Sequence, residues 1–337
     1  MKSIFKNAKI VGSNVPQPDY RKQPEGAVRG DPRWIMSRGE LKDFALCPHK
    51  WIKNAMAHDE SESTKWGNML DCAVLTPQSF ETDFIIRPDV YPCDPTSKDP
   101  RSEKPWNNNA TFCKDWNEEH ADRNIISRDE VNSLEAALLE LHGNPTIKEL
   151  LECSQRQVMV QGEYHAGNGL VIPVRGLLDL LPDSKHKTFG TSIADLKSSK
   201  SVIPSLWARD VFKYGYDMQA ALYSDLIHSA TGEERETFYH VAQENEPPFE
   251  VMNPLAILSS EFIGMGRWKY QGALEYYSQC LYLKLWPSYS PVRDVYYGTQ
   301  IIKPEAWMVG QMREIVRQSD CGSIVTPAYD TTTDNAN

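Results

Sequence analysis

The sequence predicts an α/β protein with a mixed central sheet, helices on the faces of the sheet and a helical region before it. The prediction rests on the order of elements from residue 127 onward, which is helix, three strands, helix and strand. Three strands in succession indicate a meander, and the helix that follows them indicates a crossover to the fourth strand. A mixed sheet covered by helices accommodates both connections.

The sequence before residue 77 predicts an irregular arm followed by two helices. Residues 1–34 carry scattered proline, glycine and charge without sustained periodicity, so we expect an irregular N-terminal arm. In the stretch SRGELKDFALCPHKWIKNAM, Leu41, Phe44 and Ala45 have helical spacing before Pro48. A second helix is expected over KWGNMLDCAVL, which ends at Thr76-Pro77.

The core elements begin at Ser127, which forms a capping-box pattern with Glu130. The helix that follows should end near Gly143, and Pro145 is well placed to open the next one. Short apolar segments rich in β-branched residues then predict strands, namely QVMVQGEYHA, LVIPVRGLLDLL, TSIADLK and, later, TFYHVAQE. One long helix is expected over residues 205–231 and another over residues 259–286.

These elements predict a single main domain over residues 35–320. It comprises a helical part over 35–153, an α/β core over 155–245 and C-terminal helices over 255–320. Residues 323–337, which include the tail TPAYDTTTDNAN, have no core-forming pattern and are expected to be disordered.

Composition excludes several classes of protein. The 337 residues include 36 basic and 46 acidic side chains, for a net charge of −10, which argues against a general polyanion-binding module. A local basic channel with bound metal remains compatible with that charge. Seven cysteines at irregular spacing indicate reduced thiols, and no apolar run is long enough for a membrane span or an export signal. We therefore expect a cytoplasmic protein.

Two carboxylates fall near the ends of neighbouring predicted strands. Asp179 lies near the end of the second strand and Asp195 near the end of the third. Paired strands could bring both to one edge of the sheet, where hard oxygen donors suit Mg²⁺ or Mn²⁺. Strand alternation puts Lys197 on the same face as Asp195, where it could face a scissile phosphate. Glu163, on the preceding strand, offers a third carboxylate. The alternative is a set of surface acids paired with a lysine.

Gln219 and Tyr223 are four residues apart in the helix that follows the third strand, so they share one helix face. An amide and a phenol next to the carboxylates could hold a phosphate or a base. Taken alone, the same spacing is typical of an ordinary half-buried helix face. No HExxH, GxxxxGK[ST] or GxSxG motif offers another kind of site.

In their order, these segments resemble the nuclease domain of the RecE (exonuclease VIII) family, within the PD-(D/E)xK superfamily. The matching text reads VRGLLD, IADLKSS, YGYDMQAALYSD and VAQENEPPFEV, preceded by SRGEL, CPHKW, WGNMLD and LTPQSF. The similarity covers about residues 35–310. It implies a restriction-endonuclease-like core and Mg²⁺- or Mn²⁺-dependent hydrolysis of DNA phosphodiesters.

The resemblance also implies roles for individual residues. Asp179 and Asp195 would bind the metal with the Leu196 carbonyl oxygen, and Lys197 would be the catalytic lysine. Gln219 and Tyr223 match the family's Gln-x-x-x-Tyr motif, whereas Glu163 matches a family carboxylate more loosely. The chain departs from the family block Gly-x-x-x-His, because Asp71 stands where the family has histidine, four residues after Gly67. An aspartate is also a ligand for hard cations, so Asp71 joins the predicted metal site.

Weaker expectations concern contacts with DNA. Arg38, at the start of the first matching block, would suit a 5′-phosphate, because guanidinium binds phosphate through two hydrogen bonds. Arg175, Ser198 and Lys200 lie beside the predicted site residues and are expected to contact the DNA backbone.

The resemblance implies an exonuclease that degrades linear duplex DNA from the 5′ end and leaves 3′ single-stranded overhangs for recombination. It further implies a homo-oligomeric ring, a single-strand annealing protein as partner, and a bacterial or phage-infected cell as setting. Two other functions stay open. One is a RecB-like nuclease for single strands or flaps, and the other is a non-catalytic scaffold that binds DNA ends.

Overall fold

A six-stranded mixed sheet forms the centre of the protein in the computed structural model. The structure describes residues 3–56, 61–92, 103–288 and the short strands at 295–296 and 299–300. Residues 1–289 form one compact unit and residues 290–337 another. In the second unit, two strands pair with each other in antiparallel fashion. No helix of the described residues is both long enough and apolar enough to cross a membrane.

The strands, in chain order, are β1 (Lys6–Gly12), β2 (Phe84–Ile86), β3 (Val90–Pro92), β4 (Glu103–Pro105), β5 (Asn124–Ile126), β6 (Ser154–His165), β7 (Val171–Pro182), β8 (Ser192–Ser199), β9 (Thr237–Glu244), β10 (Ala256–Ile257), β11 (Val295–Tyr296) and β12 (Thr299–Gln300). The helices are α1 (Gln17–Arg21), α2 (Arg38–Leu46), α3 (Pro48–Ile52), α4 (Glu62–Leu75), α5 (Phe80–Asp83), α6 (Thr111–Glu119), α7 (Arg128–Gly143), α8 (Pro145–Glu152), α9 (Pro204–Tyr214), α10 (Tyr216–Thr231) and α11 (Ser260–Leu283).

The central sheet has the order β1-β6-β7-β8-β9-β10. Strands β6, β7 and β8 form the predicted antiparallel meander, and β9 returns parallel to β8 after two helices. The predicted mixed sheet is therefore confirmed. Two further small sheets, β2 with β5 and β3 with β4, lie in the part that the sequence predicts to be helical.

Helices cover both faces of the sheet, because side chains on alternate strand positions enter two hydrophobic clusters. One cluster joins the sheet to α2, α10 and α11 and includes Phe44, Ile193 and Leu226. The other joins it to α4, α7 and α8 and includes Leu70 and Leu196. The site described below lies between these layers, where the strands reach α4 and α10.

The N-terminal segment differs from the predicted irregular arm. Residues 6–12 form β1, which pairs with β6 at the edge of the sheet. Phe5, just before it, is buried and lies 6.0 Å from Tyr270 between ring centroids. The sequence did not indicate this strand because none of its residues is buried, so it lacks apolar alternation, and irregularities interrupt its register with β6.

The long helix predicted over residues 205–231 is two helices. Gly215 separates α9 from α10 with a φ of +71°, in the left-handed region that glycine adopts without strain. The chain therefore turns between Tyr214 and Tyr216, and this turn places α10 against the sheet. The capping box at Ser127 and the helix start at Pro145 are confirmed. The predicted tail, and the end of the predicted C-terminal helices, lie outside the described residues.

Candidate active site

Asp179 lies where strands β7 and β8 diverge. The two strands pair at Leu180 and Ala194. Beyond this pair, the Asp179 carboxylate accepts a hydrogen bond from the backbone of β8. Its Oδ2 accepts a hydrogen bond from the Leu196 N–H at 3.0 Å. Burial raises the pKa of Asp179 well above its usual value, and the charge of Asp195 raises it further.

Asp195 and Lys197 share one face of β8, as strand alternation predicts. The Lys197 ammonium forms an ion pair with Asp195 Oδ2, and the side chains are 15% and 1% exposed respectively. Burial alone would lower the pKa of Lys197, but the carboxylates of Asp195 and Asp179 raise it above its usual value. Lys197 is therefore a cation held against two acidic groups.

The first turns of α10 bring Gln219 and Tyr223 to the same place. Gln219 Nε2 donates a hydrogen bond to Asp195 Oδ1 at 2.7 Å, which fixes the carboxylate from the side opposite Lys197. The Tyr223 ring packs on Gly176, where a Cβ would lie 2.8 Å from Cε1. Glycine at 176 therefore leaves the room that this ring needs. Burial raises the pKa of Tyr223, so its hydroxyl stays protonated.

Helix α4 contributes Asp71. The helix approaches β8 so closely that a Cβ on Gly67 would lie 3.1 Å from Ser198 Oγ. Asp71 is partly exposed, and its pKa is raised to about 7, mainly by burial. The charge of Lys197 opposes this rise and the charge of Asp195 adds to it. Asp71 therefore belongs to the same electrostatic cluster as the strand carboxylates.

The donor chemistry of this cluster fits a divalent cation. Asp71, Asp179 and Asp195 offer the carboxylate oxygens that Mg²⁺ and Mn²⁺ prefer. Among the described residues, no three histidine, cysteine or acidic side chains already surround a single ion position. Lys197 supplies the positive charge next to Asp195. The Leu196 carbonyl stays a predicted ligand.

Glu163 lies away from this cluster, which corrects the prediction of a third strand carboxylate there. In the β6–β7 register it faces Pro173, six residues before Asp179, or about 20 Å along the strand. Its side chain accepts a hydrogen bond from Asn7. The residue of β6 that reaches the site is Gln157, whose Nε2 donates to Asp179 Oδ1 at 3.3 Å.

Arg175 also has a different role from the predicted DNA contact. Its side chain is buried, and its guanidinium donates hydrogen bonds to the main-chain oxygens of Arg21 and Lys22. It lies 5.0 Å from the centroid of the Tyr20 ring. These contacts hold the N-terminal segment against β7.

The other three predicted DNA contacts lie at or near the surface. Arg38 is half-buried, and its guanidinium donates to Gln219 Oε1 at 3.3 Å, so it is one residue removed from Asp195. Ser198 is half-buried beside Gly67, and Lys200 is exposed just after β8. The structure thus connects Arg38 to Asp195 through Gln219.

Two tyrosines that the sequence did not indicate complete the site. Tyr20, in α1, lies near Ser37 and Tyr223, and burial raises its pKa. The Tyr216 ring lies 5.1 Å from the Lys197 Nζ. Neither residue has a sequence signal, because one comes from a segment without periodicity and the other follows an unpredicted break at Gly215.

His240 of β9 lies opposite Asp195 in the parallel ladder. Its ring is fully buried among Trp207, Tyr216 and Phe238. Burial lowers its pKa to about 3, so the imidazole is neutral and forms part of the support beneath the site.

Comparison with known families shows which family the chain belongs to. Residues 37–295 match the model of the family described as PDDEXK-like domain of unknown function (DUF3799). The chain belongs to this family. That range contains every residue of the carboxylate cluster, together with Lys197, Gln219 and Tyr223. A search of curated proteins finds no match to the chain.

A solved structure supports the same fold for this PDDEXK-like protein. It is the crystal structure of a "Putative exonuclease" from Eubacterium rectale, with a TM-score of 0.54 at 15% sequence identity. The match covers 88% of this chain and 98% of the other. Together with the family assignment, it confirms the predicted restriction-endonuclease-like fold.

Proposed function

We propose that this PDDEXK-like protein is a metal-dependent exonuclease that degrades linear double-stranded DNA from the 5′ end and leaves 3′ overhangs for recombination. The observation that carries the proposal is the placement of Asp179, Asp195 and Lys197 at the divergence of β7 and β8. Polarity and substrate rest on the RecE resemblance.

The residues of the chain suit hydrolysis of a phosphodiester. The Lys197 cation, held beside Asp195, can approach a non-bridging phosphate oxygen and stabilise the negative charge that develops there. Gln219 keeps the Asp195 carboxylate in place, and the protonated Tyr223 hydroxyl is available as a hydrogen-bond donor. A divalent cation bound by Asp71, Asp179 and Asp195 would supply Lewis-acid stabilisation of the reacting phosphate.

The test uses 5′-phosphorylated linear duplex DNA and follows release of acid-soluble nucleotides with Mg²⁺, Mn²⁺ or EDTA. Wild-type protein should release nucleotides only with metal. Lys197→Ala should reduce the rate by about 10²-fold or more, since it removes a charge that acts on the reacting phosphate. The matched control is Lys187→Ala, a lysine on the exposed turn between β7 and β8, which should cleave at the wild-type rate.

Substrate preference separates the proposal from its alternatives. Blunt duplex, single strand and flap substrates should be compared with label at either end. Preference for single strands or flaps would indicate the RecB-like function instead. A folded protein that binds DNA ends but releases no nucleotide with any metal would contradict the exonuclease and leave the end-binding scaffold.

The ring-shaped homo-oligomer and the single-strand annealing partner are proposed on the resemblance alone. Light scattering coupled to size-exclusion chromatography tests the first. Co-purification with a candidate annealing protein, with and without resected DNA, tests the second.

A further inference from the structure

Two lysines share one tyrosine ring on the surface beside the site. The Lys42 Nζ of α2 lies 5.7 Å from the centroid of the Tyr214 ring, at the end of α9. The Lys213 Nζ lies 4.8 Å from the same centroid. Lys213 and Tyr214 are exposed and Lys42 is half-buried, so these three residues, here the Lys42–Lys213–Tyr214 cluster, face solvent.

The cluster concentrates positive charge that the nearby carboxylates of Asp43 and Asp210 offset only from beyond ion-pair distance. Within the described part of the chain, neither Lys42 nor Lys213 forms an ion pair, although Asp43 and Asp210 lie within electrostatic range. Burial lowers the pKa of Lys42, and the neighbouring charges of Arg38 and Lys213 lower it further. In a chain of net charge −10, this cluster is a local cationic site that an anion would stabilise.

Two contacts connect the cluster to the carboxylates. The Arg38 guanidinium donates to the Tyr214 main-chain oxygen at 3.4 Å and to Gln219 Oε1 at 3.3 Å, and Gln219 donates to Asp195. The Tyr214 ring also lies 5.7 Å from the Tyr216 ring, which covers Lys197. A polyanionic chain that is bound at the site of the carboxylates and extends past Arg38 therefore reaches the cluster next.

We propose that the Lys42–Lys213–Tyr214 cluster binds an unpaired stretch of the DNA strand that passes through the active site. The lysines would contact consecutive phosphates, and a base would stack on the exposed part of the Tyr214 ring. The aromatic ring favours an unpaired strand over a duplex, because bases in a duplex are stacked on each other. This inference rests on the proposed nuclease function and adds a path for the substrate strand.

The first test measures DNA binding at several salt concentrations in EDTA, with a fluorescent duplex that carries a single-stranded tail. Lys42→Gln/Lys213→Gln should weaken binding about tenfold. It should also lower the slope of log affinity against log salt by about 1.4, the value for two lost contacts with a single strand. The charge-matched control is Lys6→Gln/Lys148→Gln, which changes exposed lysines on β1 and α8 and should bind as the wild type does.

The second test addresses the ring. Tyr214→Ser should weaken binding to the tailed duplex by about tenfold while the salt slope stays unchanged, because stacking on a ring releases no counterions. Tyr214→Phe should bind as the wild type does. Blunt duplex should bind wild type and Tyr214→Ser alike. Equal weakening on blunt and tailed DNA would overturn the assignment to an unpaired strand.

A parallel cleavage assay separates failure of this inference from failure of the proposed function. Suppose that the wild type cleaves DNA with Mg²⁺ but Lys42→Gln/Lys213→Gln has the salt slope of the control. The proposed path of the strand is then wrong, whereas the proposed nuclease function is retained. If the wild type neither cleaves nor binds any DNA, both are wrong. Unfolding midpoints equal to that of the wild type would show that each variant is folded.

Discussion

At the scale of single residues, Asp71 is a carboxyl group whose protonation changes near neutral pH. Its pKa of about 7 in the folded protein is well above the usual 3.8. Because burial and the charge of Asp195 both disfavour the carboxylate form, the folded state without metal prefers Asp71 protonated. Folding of the metal-free protein should therefore depend on pH.

The expected dependence has a definite sign. A carboxyl group with a raised folded pKa stabilises the protein fully below its unfolded pKa, and this stability is lost as pH rises toward 7. In EDTA, urea unfolding should show a loss of up to about 4 kcal/mol from Asp71 between pH 4 and pH 8, since its pKa rises from 3.8 to about 7 on folding.

Asp71→Asn should remove that contribution, so its unfolding free energy should fall less over the same range. Asp122→Asn, a change at an exposed aspartate outside the cluster, serves as control and should keep the wild-type profile. Parallel pH profiles for the wild type and Asp71→Asn would contradict the placement of Asp71 in the cluster.

The residues that the sequence placed at the site are those with a strand or helix pattern around them. Strand alternation and strand ends predict the positions of Asp179, Asp195 and Lys197. The same patterns do not predict which residues of other strands lie beside them. Gln157 reaches Asp179 through the β6–β7 register, which pairs residues more than twenty positions apart. Glu163 was misplaced for the same reason, because a strand pattern specifies faces but not register.

At the scale of elements, the contact between α10 and α11 depends on one glycine. A Cβ at Gly266 would lie 1.9 Å from the main-chain oxygen of Asp217, whereas one at Gly264 or Gly272 would meet nothing within 4 Å. All three glycines lie within α11. The backbones of the two helices therefore approach each other at Gly266, which no helix propensity indicates.

Alanine substitutions along α11 should separate packing from propensity. Gly266→Ala should destabilise the protein by about 3 kcal/mol or more, because backbone must move to admit the methyl group. Gly264→Ala and Gly272→Ala should instead stabilise it by about 0.5–1 kcal/mol. Urea unfolding of the three variants provides the measurement, and equal effects at all three positions would be inconsistent with this helix contact.

The edge strand β1 should contribute to stability through Phe5. This side chain is 1% exposed and packs on Tyr270, so Phe5→Ala should lower the unfolding free energy by about 3–5 kcal/mol. Ile10→Ala, at a residue of β1 that is 40% exposed, should cost less than about 1 kcal/mol. Chemical denaturation compares the two, and a mild effect of Phe5→Ala would mean that the segment adds little to the core.

The elements that the sequence predicted well have local signals at their ends. The capping box at Ser127 and the proline at 145 mark helix starts through contacts within a few residues. Strand β1 lacks such a signal, since it is determined by what the segment packs against. The break at Gly215 has only a single glycine as its signal, and one glycine inside a helical pattern does not by itself predict a break. Local patterns therefore predicted the core elements, and tertiary contacts determined the rest.

At the scale of the whole molecule, binding of a divalent cation should stabilise the fold through mass action. A ligand that binds only the folded state adds about 2.7 kcal/mol at a concentration 100 times its Kd. Mg²⁺ should therefore raise the unfolding temperature of the wild type, and Asp179→Asn should abolish most of this rise.

Glu163→Gln is the matched control for that measurement, since it also removes one strand carboxylate. It should keep the full Mg²⁺ response, because Glu163 lies about 20 Å along the sheet from Asp179. Loss of the response in Glu163→Gln, or its persistence in Asp179→Asn, would refute the placement of the cation among the clustered carboxylates.

The long-range pairing of β1 has a consequence during synthesis on the ribosome. About 140 residues separate Gly12 from Ser154, the first residue of the partner strand. At bacterial and eukaryotic rates of about 5–20 residues per second, β1 waits roughly 7–30 s for that strand. When β6 emerges, the segment that covers its outer edge already exists. Nascent chains on neighbouring ribosomes therefore have little time to pair through that edge.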